Sequence, residues 1–194
     1  MPTGRTGAAV TVIVLLSAAV VLALAAAAIR RALVSDTRRT DRQVLTVDVA
    51  ASLVLGALLA AAAVCAAVAP PPSDAVRITG QVLAVLVAAT GGGYPVRIVL
   101  HAGGIPTRTD NFDDPPDAPA LLRGGRVIGV LERTAVAICL ILGWPAGLAV
   151  VLAVKSLARF PELREHPASE QFILGTFASV LWAAAAAGVG CLPA

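Results

Sequence analysis

Long apolar runs alternate along the chain with short polar segments that carry most of its charged residues. Runs of about 20 apolar residues are long enough to cross the hydrocarbon core of a bilayer as helices. The pattern predicts an all-α, polytopic transmembrane helical bundle, formed by a single integral membrane domain over residues 1–194. About six spans are expected, with five as the alternative, and they cover residues 8–29, 44–69, 78–100, 127–144, 145–160 and 172–192.

Two of these spans are irregular, and one connection is long. The third span contains Gly91–Gly93 and then Pro95, which predict a broken helix because proline removes a hydrogen bond and glycine weakens a turn. The fifth span is short, about 24 Å as a helix, so it either crosses the membrane with its basic end at the interface or is re-entrant. Residues 101–126 are rich in proline and aspartate and predict a flexible cytoplasmic loop.

Composition supports the membrane assignment and removes several alternatives. The chain is 58% hydrophobic and 14% charged, whereas soluble domains carry about 25% charged residues. Net charge is +3, but the basic residues are spread among loops, which argues against a nucleic-acid partner. The three cysteines form no C-x-x-C pair, which argues against a disulfide framework or a zinc site.

The distribution of basic residues predicts the orientation. If the first loop, which contains Arg30, Arg31, Arg38, Arg39 and Arg42, is cytoplasmic, nearly all of the 15 Lys and Arg residues fall on the cytoplasmic side. The sequence therefore predicts a multi-pass protein of the cell (plasma) membrane with both termini outside.

Ionisable residues near the cytoplasmic ends of the last three spans form a candidate intramembrane charge cluster. Its members are Glu132, Arg133, Lys155, Arg159 and Glu170. Such residues inside a membrane usually have a partner or a function, and we expect ion pairs between the acidic and basic members. The alternative is that Lys155 and Arg159 extend to lipid headgroups and anchor the helix end. Asp48 and Arg97 reach a similar depth on spans two and three.

Three segments of this region resemble a bacterial membrane family of unknown function. They are Gly125–Arg133, Ala153–Phe160 and Glu170–Ser179, and the family has G-x-x-I-G-x-L-E-R, A-K-S-x-x-R-F and E-x-x-x-I-G-T-x-x-S in the same order. The whole chain also resembles uncharacterised integral membrane proteins of actinobacteria. The resemblance implies that Glu132, Lys155, Arg159 and Glu170 act as one constellation, and it implies no activity.

Catalytic signatures are absent from the sequence. There is no P-loop, G-x-S-x-G, H-E-x-x-H or Rossmann glycine pattern, so we expect no enzyme, no cofactor and no metal site. The favoured function is a small structural or interaction subunit that contacts the lipid bilayer and other membrane helices or a second copy of itself. The alternative is a small transporter or channel that uses the broken third helix and the Glu132, Lys155 and Glu170 charges.

Overall fold

The computed structural model describes residues 3–36, 38–104, 125–158 and 166–192. In these ranges the protein is all-α, as the sequence predicted, and has no β-strand. The helices are α1 (Thr3–Ser35), α2 (Asp41–Val68), α3 (Asp74–Gly91), α4 (Gly93–Ala102), α5 (Gly125–Ile141), α6 (Pro145–Ala158) and α7 (His166–Cys191). Most of the predicted loop 101–126 lies outside the described residues.

Four helical segments are long and apolar enough, by length and composition, to cross a membrane. They are Gly7–Ser35, Asp41–Val68, Asp74–Ala102 (α3 and α4 together) and Ser169–Cys191. The predicted fourth and fifth spans correspond to α5 and α6. These two helices are shorter, with 17 and 14 residues. Gly143 separates these two helices with a φ of +64°, and Pro145 is the first residue of α6, where its missing N–H has no consequence for the helix.

The distribution of buried and exposed residues is that of a membrane protein. Large apolar side chains are exposed on the outside of the bundle, among them Val21, Leu53, Val64, Phe177 and Leu181. Charged side chains are buried inside it, namely Arg30, Asp48, Arg97 and Arg133. This arrangement suits an apolar solvent, in which exposed apolar groups incur no penalty and charges must be satisfied within the protein.

Alanine is the most frequent residue in the described part of the bundle interior. The fully buried alanines come from five of the helices and include Ala19, Ala62, Ala84, Ala88, Ala137 and Ala183. On α7, the small residues Ser179, Ala183 and Ala187 follow one another at intervals of four, and all three are buried. Small residues allow the close backbone approach on which helix association in membranes depends. Helix α1 packs on α2 and α3, α7 packs on α3, α4 and α5, and α6 packs mainly on α5.

The predicted break of the third span is present at Gly92, between α3 and α4. Side chains from two other helices lie directly against this backbone. A Cβ atom on Gly92 would lie 2.3 Å from Cδ of Arg133 and 2.7 Å from Cδ1 of Trp182, and one on Gly91 would lie 2.7 Å from Cζ2 of Trp182. Glycine is therefore required here for close packing as well as for the break.

We expect Gly92→Ala to lower the free energy of unfolding by ~1–3 kcal/mol, because the added methyl group displaces Arg133 and Trp182 from a packed site. The measurement is an unfolding titration with SDS in mixed micelles. Gly56→Ala is the matched control: nothing lies within 4 Å of its added Cβ, so the better helix propensity of alanine should leave stability equal or slightly higher. A Gly92→Ala variant as stable as Gly56→Ala would contradict the packing argument.

Candidate functional site

The carboxylate of Asp48 lies at the centre of a buried charge network. It is on α2, on the same inward-facing surface as Val44, Ala51 and Leu55, and its side chain is completely buried. A buried carboxylate without compensation is costly, because the apolar surroundings cannot solvate it. The helical periodicity that buries the neighbouring apolar residues also buries Asp48. Its negative charge must therefore be compensated by positive charge from other helices.

Two arginines supply that charge. From α4, Arg97 donates Nε and Nη2 to Oδ1 of Asp48, both at 3.0 Å. From α1, Arg30 places Nε at 3.2 Å from Oδ1 and at 3.3 Å from Oδ2. The side chains of both arginines are less than 10% exposed. One carboxylate thus joins α1, α2 and α4 inside the bundle.

Tyr94 reinforces the same junction one turn before Arg97 on α4. Its hydroxyl donates to the backbone carbonyl of Ala23 on α1 at 2.5 Å. The guanidinium carbon of Arg97 lies 5.0 Å from the centre of the Tyr94 ring, within the range of a cation–π interaction. The charge network and the aromatic contact therefore hold α4 against α1 at neighbouring levels.

Arg133 and Trp182 bind backbone carbonyls of α3 just before the helix break. Arg133 donates Nε to Ala88 O at 3.1 Å and Nη2 to Ala89 O at 3.0 Å. Trp182 donates Nε1 to Val87 O at 3.2 Å. The last four carbonyls of a helix lack intrahelical donors, and Ala88 and Ala89 are among the last four residues of α3. Arg133 of α5 supplies donors to these two, and Trp182 of α7 adds a further hydrogen bond one residue earlier.

Glu132 and Lys155 form an ion pair between α5 and α6. Their Oε2 and Nζ atoms are 2.5 Å apart, and both side chains are less than 20% exposed. Lys155 Nζ also lies 5.6 Å from the centre of the Phe172 ring on α7. Lys155 therefore connects α6 to the bundle through both a carboxylate and an aromatic ring.

The structure brings together only part of the charge cluster predicted from the sequence. Glu132 and Lys155 are paired, whereas Arg133, the next residue after Glu132, points to α3 instead. Glu170 is exposed and has no ion pair within the described residues. Arg159 lies outside those residues, so its predicted membership stays a prediction.

The network around Asp48 was not singled out from the sequence, although a signal for it was present. Asp48 is the one acidic residue of the second apolar run, and Arg97 is the one charged residue of the third. Opposite charges at matching depths of neighbouring spans indicate a buried pair. The carbonyl partners of Arg133 have no such signal, because every residue has a carbonyl.

The chemistry available to these groups is ion pairing and hydrogen bonding. Within the described residues, no group of three or more His, Cys, Asp or Glu side chains has the arrangement of a metal site. The three cysteines are free thiols. Comparisons with protein-family models, with curated proteins and with solved structures find no match to this chain. The resemblance of residues 125–179 to a bacterial membrane family stays a prediction.

We expect Asp48→Asn to lower the free energy of unfolding by ~3–5 kcal/mol, because it leaves two buried guanidinium groups without their counter-charge. The measurement is again the SDS titration. Asp74→Asn is the control, since its ion pair with Arg77 is at the surface and 88% of the Asp74 side chain is exposed; such pairs contribute little. Adding Arg97→Gln to Asp48→Asn should recover part of the loss, and a purely additive double variant would rule out charge compensation.

The Glu132–Lys155 pair is tested by exchanging its charges. Lys155→Glu places two carboxylates together between α5 and α6 and should lower the free energy of unfolding by ~1–2 kcal/mol. The exchanged pair Glu132→Lys/Lys155→Glu should recover most of that loss. If the exchanged pair is as unstable as the single variant, the ion pair does not hold α6 in place.

Proposed function

We propose that this protein is a small structural or interaction subunit of the membrane, not an enzyme, and that α6 docks against a transmembrane helix of a different membrane protein. The observation that carries the proposal is the state of α6. This helix is attached to the bundle mainly through α5, and Gly147 is its one buried residue. Leu148 and Val151 pack against the core. The large apolar side chains of Val150, Val154 and Leu157 on the opposite face, and of Trp144 just before the helix, are exposed.

The length of α6 also favours a helix partner. Its 14 residues extend ~21 Å, less than the ~30 Å thickness of the hydrocarbon core. A membrane can accommodate a short apolar helix by thinning, by extension of flanking charges or by association with other helices. Lys155 is already engaged by Glu132, so extension to the headgroups does not describe its role. Association is the accommodation that also covers the apolar face.

The buried charges pair with one another inside the bundle, which supports a structural role for the protein over a transport role. Asp48 is bound by Arg30 and Arg97, and Glu132 is bound by Lys155. These contacts connect helices to one another, as expected of side chains that set the architecture. Of the three charges that the sequence offered as a transport path, Glu132 and Lys155 are in this way engaged in helix packing, whereas Glu170 is exposed.

The broken α3–α4 helix favours the second candidate, a small transporter or channel, because discontinuous helices form the substrate sites of many transporters. In transporters the free carbonyls of such a break coordinate the cargo. Here the carbonyls of Val87, Ala88 and Ala89 accept hydrogen bonds from Trp182 and Arg133. Because these carbonyls are already bound by side chains of the protein, transport is the less favoured candidate.

The proposal includes a multi-pass location in the plasma membrane with both termini outside. It is supported by the meeting of Arg30, Asp48 and Arg97, since these residues lie near the end of α1, the start of α2 and the end of α4. Those three helix ends belong to one end of the bundle, which is also the arginine-rich end. The positive-inside rule assigns that end to the cytoplasm.

The proposed docking is tested by purification from native membranes in mild detergent with quantitative mass spectrometry. We expect the wild-type protein to retain a stoichiometric membrane partner, and Val154→Ala/Leu157→Ala to retain at least tenfold less of it. The control Val21→Ala/Leu24→Ala removes equally exposed apolar groups from α1 and should retain the partner.

Two outcomes would overturn the docking proposal. In the first, both double variants keep the partner, so that α6 is not the contact. In the second, the wild-type protein is a monomer or an assembly of its own copies only. Flux of a solute through reconstituted vesicles would then support the transport candidate.

A further inference from the structure

The arginines at one end of α1 and α2 fall into two groups. Arg30 and Arg97 point into the bundle and bind Asp48. Arg31, Arg38 and Arg42, which we name the outer arginines, are exposed. Adjacent residues on a helix are separated by about 100°, so the inward direction of Arg30 turns Arg31 outward. The two groups therefore have different roles despite their closeness in sequence.

Within the described part of the chain, the outer arginines form no ion pairs with the acidic residues beside them. Asp36 is bound instead by Arg39, whose Nε lies 3.5 Å from Oδ2. Asp36 also accepts the backbone N–H of Arg38 through Oδ1 at 3.0 Å. Asp36 is thus bound by Arg39 and by a backbone N–H, while Arg31, Arg38 and Arg42 are exposed at the surface.

The turn that carries these side chains is internally hydrogen-bonded. Thr40 N donates to Oε1 of Gln43 at 3.3 Å, and Gln43 N donates to Thr40 O at 3.0 Å. Such a capping arrangement satisfies free backbone donors and fixes the first turn of α2. The backbone positions of Arg38 and Arg42 are therefore set by the fold, and their exposed side chains extend from that backbone.

We propose that Arg31, Arg38 and Arg42 bind the headgroup phosphates of anionic phospholipids. Arg42 precedes Asp48 by six residues on the same helix, which places it ~9 Å further along the helix axis from the buried network. The exposed large apolar side chains nearest to this end of the bundle are Ile29 on α1 and Leu53 on α2. A cation at the boundary of an apolar helix lies at the height of lipid headgroups, and guanidinium groups bind phosphate through paired hydrogen bonds.

The site is independent of the proposed docking at α6, because it involves α1 and α2 only. The test uses the full-length protein in nanodiscs of equal parts phosphatidylglycerol and phosphatidylcholine. Native mass spectrometry measures the ratio of the two lipids that stay bound. The wild-type protein should retain phosphatidylglycerol preferentially, and Arg31→Gln/Arg38→Gln/Arg42→Gln should lose about fivefold in that preference for each arginine removed.

Three controls keep the inference decisive. Arg31→Lys/Arg38→Lys/Arg42→Lys preserves the charge and should retain most of the preference. Arg77→Gln removes an arginine that pairs with Asp74 at the start of α3, and it should leave the preference unchanged. For the wild-type protein, raised ionic strength should weaken the preference, because these charges are exposed and therefore screened. If the triple glutamine variant fails to fold, the salt dependence of the wild-type preference, together with the triple lysine variant, tests the proposal.

Any of three results would overturn the proposal: an unchanged preference in the folded triple glutamine variant, a wild-type preference that does not depend on salt, or an equal loss in Arg77→Gln. Displacement of phosphatidylglycerol by low concentrations of inorganic phosphate would also overturn it, since the surface would then be a site for free phosphate.

Discussion

A carboxylate among apolar helices and lipid must meet positive charge inside the protein, because no water is present there to solvate it. Asp48 imposes this requirement on the bundle. Arg30 and Arg97 approach its oxygens to 3.0–3.3 Å, which is possible only if α1, α2 and α4 have one particular rotation and depth relative to each other. Leu55 and Ala51 on the same face of α2 are then placed in the core as a consequence.

The break between α3 and α4 requires its own compensation. Interrupting a helix leaves carbonyls without intrahelical donors. Here Arg133 donates to two carbonyls in the last turn of α3, and Trp182 donates to the carbonyl just before that turn. The glycines allow both side chains to reach the backbone. Glu132 and Arg133 are consecutive residues of α5. The side chain of Arg133 binds the backbone at the break, and the side chain of Glu132 binds Lys155 of α6. Helix α5 thereby connects the weakly attached α6 to the centre of the bundle.

Sequence patterns predicted the fold class and the break, because both depend on local features: apolar runs long enough to form spans, and Gly91–Gly93 with Pro95. The charge cluster could be predicted only in part. Side-chain pairing between Glu132 and Lys155 follows from complementary charge, but Arg133 binds backbone carbonyls, and no sequence pattern identifies a particular carbonyl. The start of α6 at Pro145 and the shortness of this helix, which has 14 residues, also agree with the sequence prediction, because proline can begin a helix but interrupts one that is already formed.

Neighbouring charges in this chain are separated by helical rotation into internal and external sets. Arg30 is buried while Arg31 is exposed, although their side chains have the same chemistry. The internal charges determine how the helices are placed relative to one another. Substituting them should therefore alter stability, whatever the protein binds. The external set, together with the apolar face of α6, contributes little to packing and has the freedom to contact lipid or partner. Stability and recognition therefore depend on different residues of the same short segments, and substitutions can separate the two properties.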